Sequence, residues 1–86
     1  MKFVKTGLND QQFNELLNFI LQSKVATLVL SSNCLGEISL DALLNYTKMD
    51  STLKNVYLSK NQINTLRGRT RHKITLLREQ GINLYI

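Results

Sequence analysis

A run of basic side chains in the C-terminal half is the part of the sequence that could bind an anion directly. It reads Arg67-Gly68-Arg69-Thr70-Arg71-His72-Lys73. On a helix, Arg67, Arg71 and Arg78 would lie within about 40° of one another and could neutralise phosphates or carboxylates. No aromatic residue interleaves with these arginines, although a stacking platform for single-stranded nucleic acid requires one. The run predicts either a site for an anionic partner, such as nucleic acid or an acidic protein, or an ordinary solvated helix face.

Residues suited to catalysis are few and isolated. His72 is the only histidine and lies among like charges on a helix flank, and Cys34, the only cysteine, follows Asn33 at a variable position of the pattern. We expect an exposed His72 with no special role and a half-buried structural thiol at Cys34. The six acidic residues are scattered and the four glycines are isolated, so neither a paired-carboxylate site nor a phosphate-cradling loop is indicated. With no metal-ligand spacing either, we predict no enzyme activity, no metal site and no cofactor.

The most regular feature of the chain is a pattern that recurs at a fixed offset. Residues 53–63 follow the pattern L-x-x-V-x-L-x-x-N-x-I. Twenty-eight residues earlier every pattern position is filled again, by Val25, Leu28, Leu30, Asn33 and Leu35. Partial copies stand on either side of these two, and they consist of Met1, Phe3, Thr6 and Leu8 before them and Leu84 and Ile86 after them.

This pattern resembles the strand-and-turn half of a leucine-rich repeat, L-x-x-L-x-L-x-x-N/C-x-L. A period near 28 with helical patterns between the copies is similar to the ribonuclease-inhibitor-like subclass. The resemblance implies a single domain over residues 1–86, built as a short right-handed βα solenoid with a parallel four-stranded sheet and helices on one side. It also implies that Asn33 and Asn61 satisfy backbone groups where the strands end, and that a protein partner binds the concave sheet face.

The order of elements predicted from periodicity is βαβαβαβ. Strands are expected at residues 1–5, 25–30, 54–58 and 82–86. A first helix should be capped by Asn9 or Asp10, and Asn9 with Gln12 resembles a capping box. This helix should bury Phe13, Leu16, Leu17 and Ile20 before it ends near Ser23. A second helix, capped by Ser39, should bury Leu40, Leu43, Leu44 and Tyr46. A third should span about residues 65–80, bury Leu66, Thr70, Ile74 and Leu77, and end before Gly81.

One alternative architecture is a doubly wound sheet with helices on both faces. Its strands would read as nearly continuous apolar runs. The outward strand positions hold Thr27, Asn55 and Asn83 instead, so one face of the sheet should be wet, which favours the solenoid.

Three rows of outward side chains should cross that wet face. They are Thr27, Asn55 and Asn83; then Lys2, Val29, Tyr57 and Tyr85; then Val4, Ser31 and Ser59. Neighbouring strands lie about 5 Å apart, so the two tyrosines should be side by side, and tyrosine is enriched at binding hot spots. The predicted partner-binding residues are Thr27, Val29, Ser31, Asn55, Tyr57, Ser59, Asn83 and Tyr85. The alternative is that the aromatic pair only stabilises the sheet.

The strand edges raise a further alternative function, that of a structural protein that self-assembles. Residues 82–86 are apolar and uncharged, without a lysine that would protect the edge. Either the sequence is part of a longer repeat protein, or its edges pair with another copy in a homo-oligomer.

Composition limits the cellular context. The net charge is +5: residues 1–53 carry four lysines against five acidic residues, whereas residues 54–86 carry seven basic residues against one acidic residue. No apolar run approaches the roughly 18 residues of a membrane span, and the first residues lack the apolar region of a signal peptide. A lone cysteine favours a reducing compartment. We expect an intracellular, cytoplasmic protein that does not bind membranes, with secretion by a route that uses no signal peptide left open.

Overall fold

The computed structural model describes residues 1–49 and 52–86, and in this part of the chain helices and strands alternate in an α/β fold. The described helices are α1 (Asp10–Ser23), α2 (Glu37–Met49) and α3 (Gly68–Glu79). The described strands are β1 (Thr27–Val29), β2 (Asn55–Tyr57) and β3 (Asn83–Tyr85). Each strand is shorter than predicted but lies inside its predicted range.

The sheet is parallel, with the strands in the order β1-β2-β3. Thr27 pairs with Asn55 and Asn55 with Asn83, so partners are 28 residues apart. Val29, Tyr57 and Tyr85 are aligned in the same way. The offset read from the sequence therefore predicted the register correctly.

The prediction of a fourth strand at residues 1–5 is not confirmed. Lys2 forms an isolated parallel bridge with Val29, and the Phe3 amide donates to the Val29 carbonyl at 2.8 Å. Lys5 then adopts a left-handed backbone conformation with φ 56°, and its amide lies 3.4 Å from the Ser31 carbonyl. Because Lys5 turns the chain, the ladder stops after one bridge and the sheet has three strands in the described residues.

One apolar core lies between the sheet and the helices. Each strand buries its central residue, namely Leu28, Val56 and Leu84. The helices supply Phe13, Leu17, Ile20, Leu40, Leu43, Tyr46, Ile74 and Leu77 to the same cluster, and α2 packs against both α1 and α3. The alternate strand residues are half-buried or exposed, so the opposite face of the sheet is open.

Helix α1 begins as predicted, at a capping box. The Gln12 amide donates to the Asn9 side chain at 2.8 Å, and the Asn9 amide donates to the Gln12 side chain at 3.0 Å. This exchange satisfies two of the backbone donors that a helix N-terminus leaves unpaired. The predicted apolar positions Phe13, Leu17 and Ile20 are buried, so the local signal determined both the start of the helix and the face that it buries.

The prediction that Ser39 caps the second helix is wrong. Helix α2 starts two residues earlier, at Glu37, and Ser39 is fully buried inside it. Its hydroxyl donates to Asp10 Oδ1 at 2.5 Å, and the same oxygen accepts the Gly36 amide at 2.9 Å. A carboxylate from α1 therefore occupies the start of α2, a contact between residues 26–29 positions apart that local sequence rules do not detect.

The third helix, in contrast, starts later than predicted, because a turn precedes it. The Asn64 side chain accepts the Leu66 amide at 3.0 Å, and an asparagine in this position stabilises a turn in competition with a helix. Leu66 is therefore 87% exposed instead of buried, and the helix begins at Gly68. Its end agrees with the prediction, since Gly81 follows with φ 89° and the Ile82 amide donates to the Leu77 carbonyl at 3.3 Å.

An ion network links α2 to α3. Glu37 accepts the Thr70 hydroxyl at 2.9 Å and pairs with Lys73 at 3.1 Å and with Arg69 at 3.2 Å. Lys73 also pairs with Asp41 at 2.9 Å. The Thr70 hydrogen bond and then the Lys73 ammonium lower the pKa of Glu37. The Asp41 carboxylate, helped by Glu37, raises the pKa of Lys73.

We expect Glu37→Gln to lower the melting temperature at neutral pH, and the loss to become smaller as the pH falls below the ordinary glutamate pKa. The pKa of Glu37 is lowered in the folded chain, so its carboxylate contributes stability above the ordinary glutamate pKa. That stability is lost as the pH falls through the lowered pKa. Circular dichroism melts of both proteins from neutral pH to about pH 3 measure the difference. Glu15→Gln, at an exposed position of α1, is the control and should behave as wild type. A loss that persists unchanged at about pH 3 would contradict the role of this charge.

Candidate functional site on the open sheet face

Two tyrosines form the centre of the open sheet face. The rings of Tyr57 and Tyr85 are stacked, with centroids 4.4 Å apart and an interplanar angle of 10°. They are 36% and 46% exposed, so part of each ring is accessible to a partner. Val29 continues this line on β1, and Lys2 extends it through its bridge to Val29. We call Lys2, Val29, Tyr57 and Tyr85 the tyrosine row; it has the composition that the sequence predicted.

Polar side chains on both sides of the tyrosine row are bonded to one another. On one side Asn83 donates to Asn55 at 3.0 Å, and Asn55 donates to the Thr27 hydroxyl at 3.3 Å. On the other side the Ser59 hydroxyl donates to Ser31 at 3.1 Å. These bonds hold side chains of neighbouring strands in fixed positions, so the row is flanked by preorganised polar groups. All eight predicted partner-binding residues therefore lie together on this face.

Buried amides fix the turns that follow the strands. Asn33 donates to the carbonyls of Phe3 at 2.6 Å and Leu30 at 3.0 Å, and it accepts from the amides of Thr6 at 3.0 Å and Leu8 at 3.1 Å. The sequence predicted this role for the asparagine, although it did not predict how many groups one side chain satisfies.

Asn61, which follows Asn33 by 28 residues, makes the corresponding contacts. It donates to the carbonyls of Leu30 at 2.9 Å and Leu58 at 3.0 Å, and it accepts the Leu35 amide at 3.0 Å. The residue before each asparagine is left-handed, with φ 61° at Ser32 and φ 58° at Lys60. Successive turns thus have the same backbone form and the same side-chain anchor.

The predicted arginine stripe on the C-terminal helix does not form as one surface. Arg67 precedes the helix in an extended conformation, because the Asn64 turn delays the helix start. Arg78 Nη2 donates to the Leu84 carbonyl at 3.0 Å. Arg71 is exposed, and it lines an open cavity of about 380 Å³ together with Arg78 and Ile86. Arg71 and Arg78 therefore remain on one surface, whereas Arg67 lies outside the helix.

Arg78 also contacts the edge strand of the sheet. Leu84 is the central residue of β3, and its carbonyl is directed away from β2 in a parallel ladder whose bonds come from Asn83 and Tyr85. The Arg78 guanidinium donates a hydrogen bond to that carbonyl oxygen, which would otherwise be open to a strand of another chain. Charged side chains commonly protect the edges of sheets in this way. The sequence showed no edge lysine, and the spacing between Arg78 and Leu84 gave no signal that would have revealed this contact.

Basic and acidic side chains are distributed differently between the helices and the rest of the chain. In the part of the chain that the structure describes, helices α1 to α3 carry five basic and five acidic side chains. The strands and turns carry six basic side chains and no acidic one in these residues. The basic residues are Lys2, Lys5, Lys24, Lys54, Lys60 and Arg67. Sorting charges by predicted element would have found this excess.

The two candidate reactive side chains lie apart from the sheet face. His72 is exposed on α3, as predicted. Cys34 was expected to be half-buried, but it is exposed, because it follows the buried Asn33 in the turn where the backbone bridges to Asn9. Among the described residues, no three potential metal-ligating side chains come together.

No family model matches the chain, and no curated protein matches it. In residues 1–49 and 52–86 no helix has the length and apolar character to span a membrane.

Proposed function

We propose that this chain is a leucine-rich-repeat module that binds a protein partner through its open sheet face. The observation that carries the proposal is the stacked pair Tyr57–Tyr85, which is exposed at the centre of that face. Aromatic side chains that are fixed before binding lose little conformational entropy on association, and tyrosine is prominent at binding hot spots. The hydrogen-bonded rows beside the pair supply a polar rim.

The repeat assignment is supported by equivalent positions at one offset. Leu28 and Val56 are paired in the sheet and buried. Asn33 and Asn61 each donate to the carbonyl of an equivalent residue in the preceding copy, Phe3 and Leu30 respectively. Such repetition of contacts is the physical definition of a solenoid, in which each unit packs only on its neighbours. We extend the proposal to a right-handed solenoid with residues 1–5 as its degenerate first strand.

The other candidate surfaces have weaker support. Arg69 and Lys73 are engaged by Glu37, and Arg78 binds a backbone carbonyl, which reduces the charge that the third helix can offer an anion. In self-assembly, a strand of another copy would pair with the edge strand β3. The same Arg78 contact already occupies the Leu84 carbonyl on that strand. We therefore prefer the sheet face, and we propose an intracellular setting because a reducing compartment suits the exposed lone thiol of Cys34.

The proposal is tested with peptides that are selected from a library for binding to the protein. A library of random peptides displayed on phage is panned on the immobilised full chain, and the affinities of the selected peptides are measured by fluorescence anisotropy. We expect the double variant Tyr57→Ala, Tyr85→Ala to bind them at least about tenfold more weakly than wild type, because truncation of hot-spot residues typically costs that much. Loss of the ring stack should cost only about 1 kcal/mol of stability, so the fold survives.

Two further variants make the result interpretable. Arg71→Ala removes an exposed helix arginine and should leave the affinities unchanged. The double variant Tyr57→Phe, Tyr85→Phe keeps the ring stack and separates the contribution of the rings from that of the hydroxyls. The proposal fails if no peptide is enriched, if the alanine variant binds as well as wild type, or if Arg71→Ala is the change that abolishes binding.

A further inference from the structure

We propose that the segment bound by the sheet face is acidic, with an aromatic side chain that docks on the tyrosine row. This inference rests on the proposed function and adds the chemistry of the partner. It is carried by the distribution of charge between the layers of the fold and by the geometry of the tyrosine pair.

The strands and the turns at their ends carry positive charge that no ion pair among the described residues compensates. Lys2, Lys5, Lys54 and Lys60 are all exposed, and within residues 1–49 and 52–86 none of the four is in an ion pair. The acidic residues that the structure describes all lie in helices, where Glu37 and Asp41 are paired with α3. A partner that approaches the ends of the strands therefore meets lysines with no carboxylate in the described strands or turns to balance them.

The fold distributes these lysines around the tyrosine row. Lys2 belongs to the row itself through its bridge to Val29. Lys5 and Lys60 occupy equivalent left-handed turn positions, with φ 56° and 58°, at the carboxyl ends of the strands. Lys54 precedes β2 at the opposite end of the strands. A segment lying along the row would thus have ammonium groups at both ends of the strands and beside Val29, which favours carboxylates on either side of a central anchor.

The tyrosine geometry favours a polypeptide over single-stranded nucleic acid, the other anionic polymer. Nucleic-acid platforms expose ring faces on which successive bases stack. Here Tyr57 and Tyr85 face each other at 4.4 Å and are nearly parallel, so each ring covers one face of the other and no base can enter between them. Beside the pair lie the apolar Val29 and hydrogen-bonded asparagine and serine side chains, a composition that suits an aromatic side chain flanked by the polar groups of a polypeptide.

The test uses defined probes of equal length. Three fluorescein-labelled peptides carry one central tryptophan among alternating serine and either glutamate, glutamine or lysine, and the fourth probe is fluorescein-labelled oligo(dT). Affinities for the full chain are measured by anisotropy at low salt and at about 1 M salt, where the Debye length is about 3 Å. We expect the glutamate peptide to bind about tenfold more tightly than the glutamine peptide, since four exposed ion pairs each contribute modestly. The preference should vanish at about 1 M salt.

Variants assign the preference to the sheet side. Replacing Lys2, Lys5, Lys54 and Lys60 together with glutamine should abolish the preference for the glutamate peptide. Lys48→Gln, at an exposed position in the last turn of α2, is the matched control and should leave it intact. Thermal melts establish that each variant is folded.

Each remaining outcome overturns a specific statement. Binding that depends on Tyr57 and Tyr85 but is equal for the glutamate and glutamine peptides removes the acidic partner and leaves sheet-face binding standing. Binding of the probes that is indifferent to both tyrosines overturns the acidic segment and the proposed function together. Tighter binding of oligo(dT) than of the glutamate peptide replaces the polypeptide by nucleic acid. Failure of the glutamate peptide to bind at concentrations where library-selected peptides bind also overturns the acidic segment.

Discussion

Asn33→Ala should destabilise the protein by about 3–4 kcal/mol, because the substitution leaves several backbone groups without partners. The amides of Thr6 and Leu8 and the carbonyls of Phe3 and Leu30 are all bonded to this one side chain, which is only 7% exposed. An unsatisfied buried polar group costs about 1–3 kcal/mol, and water that enters the site reduces the sum. A domain of this size has a total free energy of unfolding of about 4–13 kcal/mol, so the loss is a large fraction of it. Urea denaturation monitored by circular dichroism gives the difference.

Two asparagine variants serve as references for this result. Asn18→Ala replaces an exposed side chain of α1 and should change the free energy of unfolding by less than about 0.5 kcal/mol. Asn61→Ala should fall between the two, because Asn61 accepts one backbone amide, from Leu35, where Asn33 accepts two. A change of under about 1 kcal/mol for Asn33→Ala would show that solvent or local relaxation replaces these bonds.

Asn33→Asp provides a pH-dependent form of the same experiment. The substitution keeps the acceptor but replaces the donor with a carboxylate oxygen, which would face the Phe3 and Leu30 carbonyls across 2.6 and 3.0 Å. Repulsion in this buried position disfavours the charged form, so the folded-state pKa of the new carboxyl should be raised. The variant should therefore be least stable at neutral pH and recover part of the loss as acid protonates it, which melts at both pH values detect.

Phe13→Ala should lower the free energy of unfolding by about 3–5 kcal/mol, the usual cost of truncating a fully buried phenylalanine. Phe13 is 0% exposed and lies in the single core that the sheet shares with all three described helices. The cost includes both the transfer free energy of the apolar ring and the cavity that the ring leaves behind. At about 4–8 °C per kcal/mol for a domain of this length, the melting temperature should fall by at least about 12 °C.

The same helix offers a matched control for the phenylalanine experiment. Phe19 lies on α1 but is 57% exposed, so Phe19→Ala should change stability by less than about 0.5 kcal/mol. Equal losses for Phe13→Ala and Phe19→Ala would mean that Phe19 is buried in solution, for example against another copy of the chain. The molar mass from size-exclusion chromatography with light scattering would then show whether the chain forms an oligomer.

Features that depend on short-range or periodic signals were predictable from the sequence. The offset of 28 residues predicted the pairing of Thr27, Asn55 and Asn83, because a repeated unit that buries the same positions must stack in register. The Asn9 capping box and the Gly81 helix end were predictable because each concerns groups a few residues apart. The α/β class and the side-by-side placement of Tyr57 and Tyr85 followed from the same regularity.

Features that depend on contacts between distant residues required the tertiary structure. The start of α2 is occupied by Asp10, which lies 26 positions before the Gly36 amide that it accepts. The basic run that looked like an anion site is partly neutralised by Glu37 and Asp41, 32 to 36 positions away, and Arg78 binds the Leu84 carbonyl. Propensity and periodicity report which face a residue occupies, but they do not report which partner lies opposite it.

The distribution of charge shows most clearly which features the sequence determined and which required the tertiary structure. The sequence by itself determined that the chain is basic and that residues 54–86 hold the excess. Only the packing of α3 against α2 decided that Arg69 and Lys73 are paired with carboxylates of α2, whereas the exposed Lys2, Lys5, Lys54 and Lys60 of the strands and turns are in no ion pair within the described residues. The physical reason is that ion pairs form between neighbours in space, and the paired residues of α2 and α3 lie 32 or more positions apart along the chain.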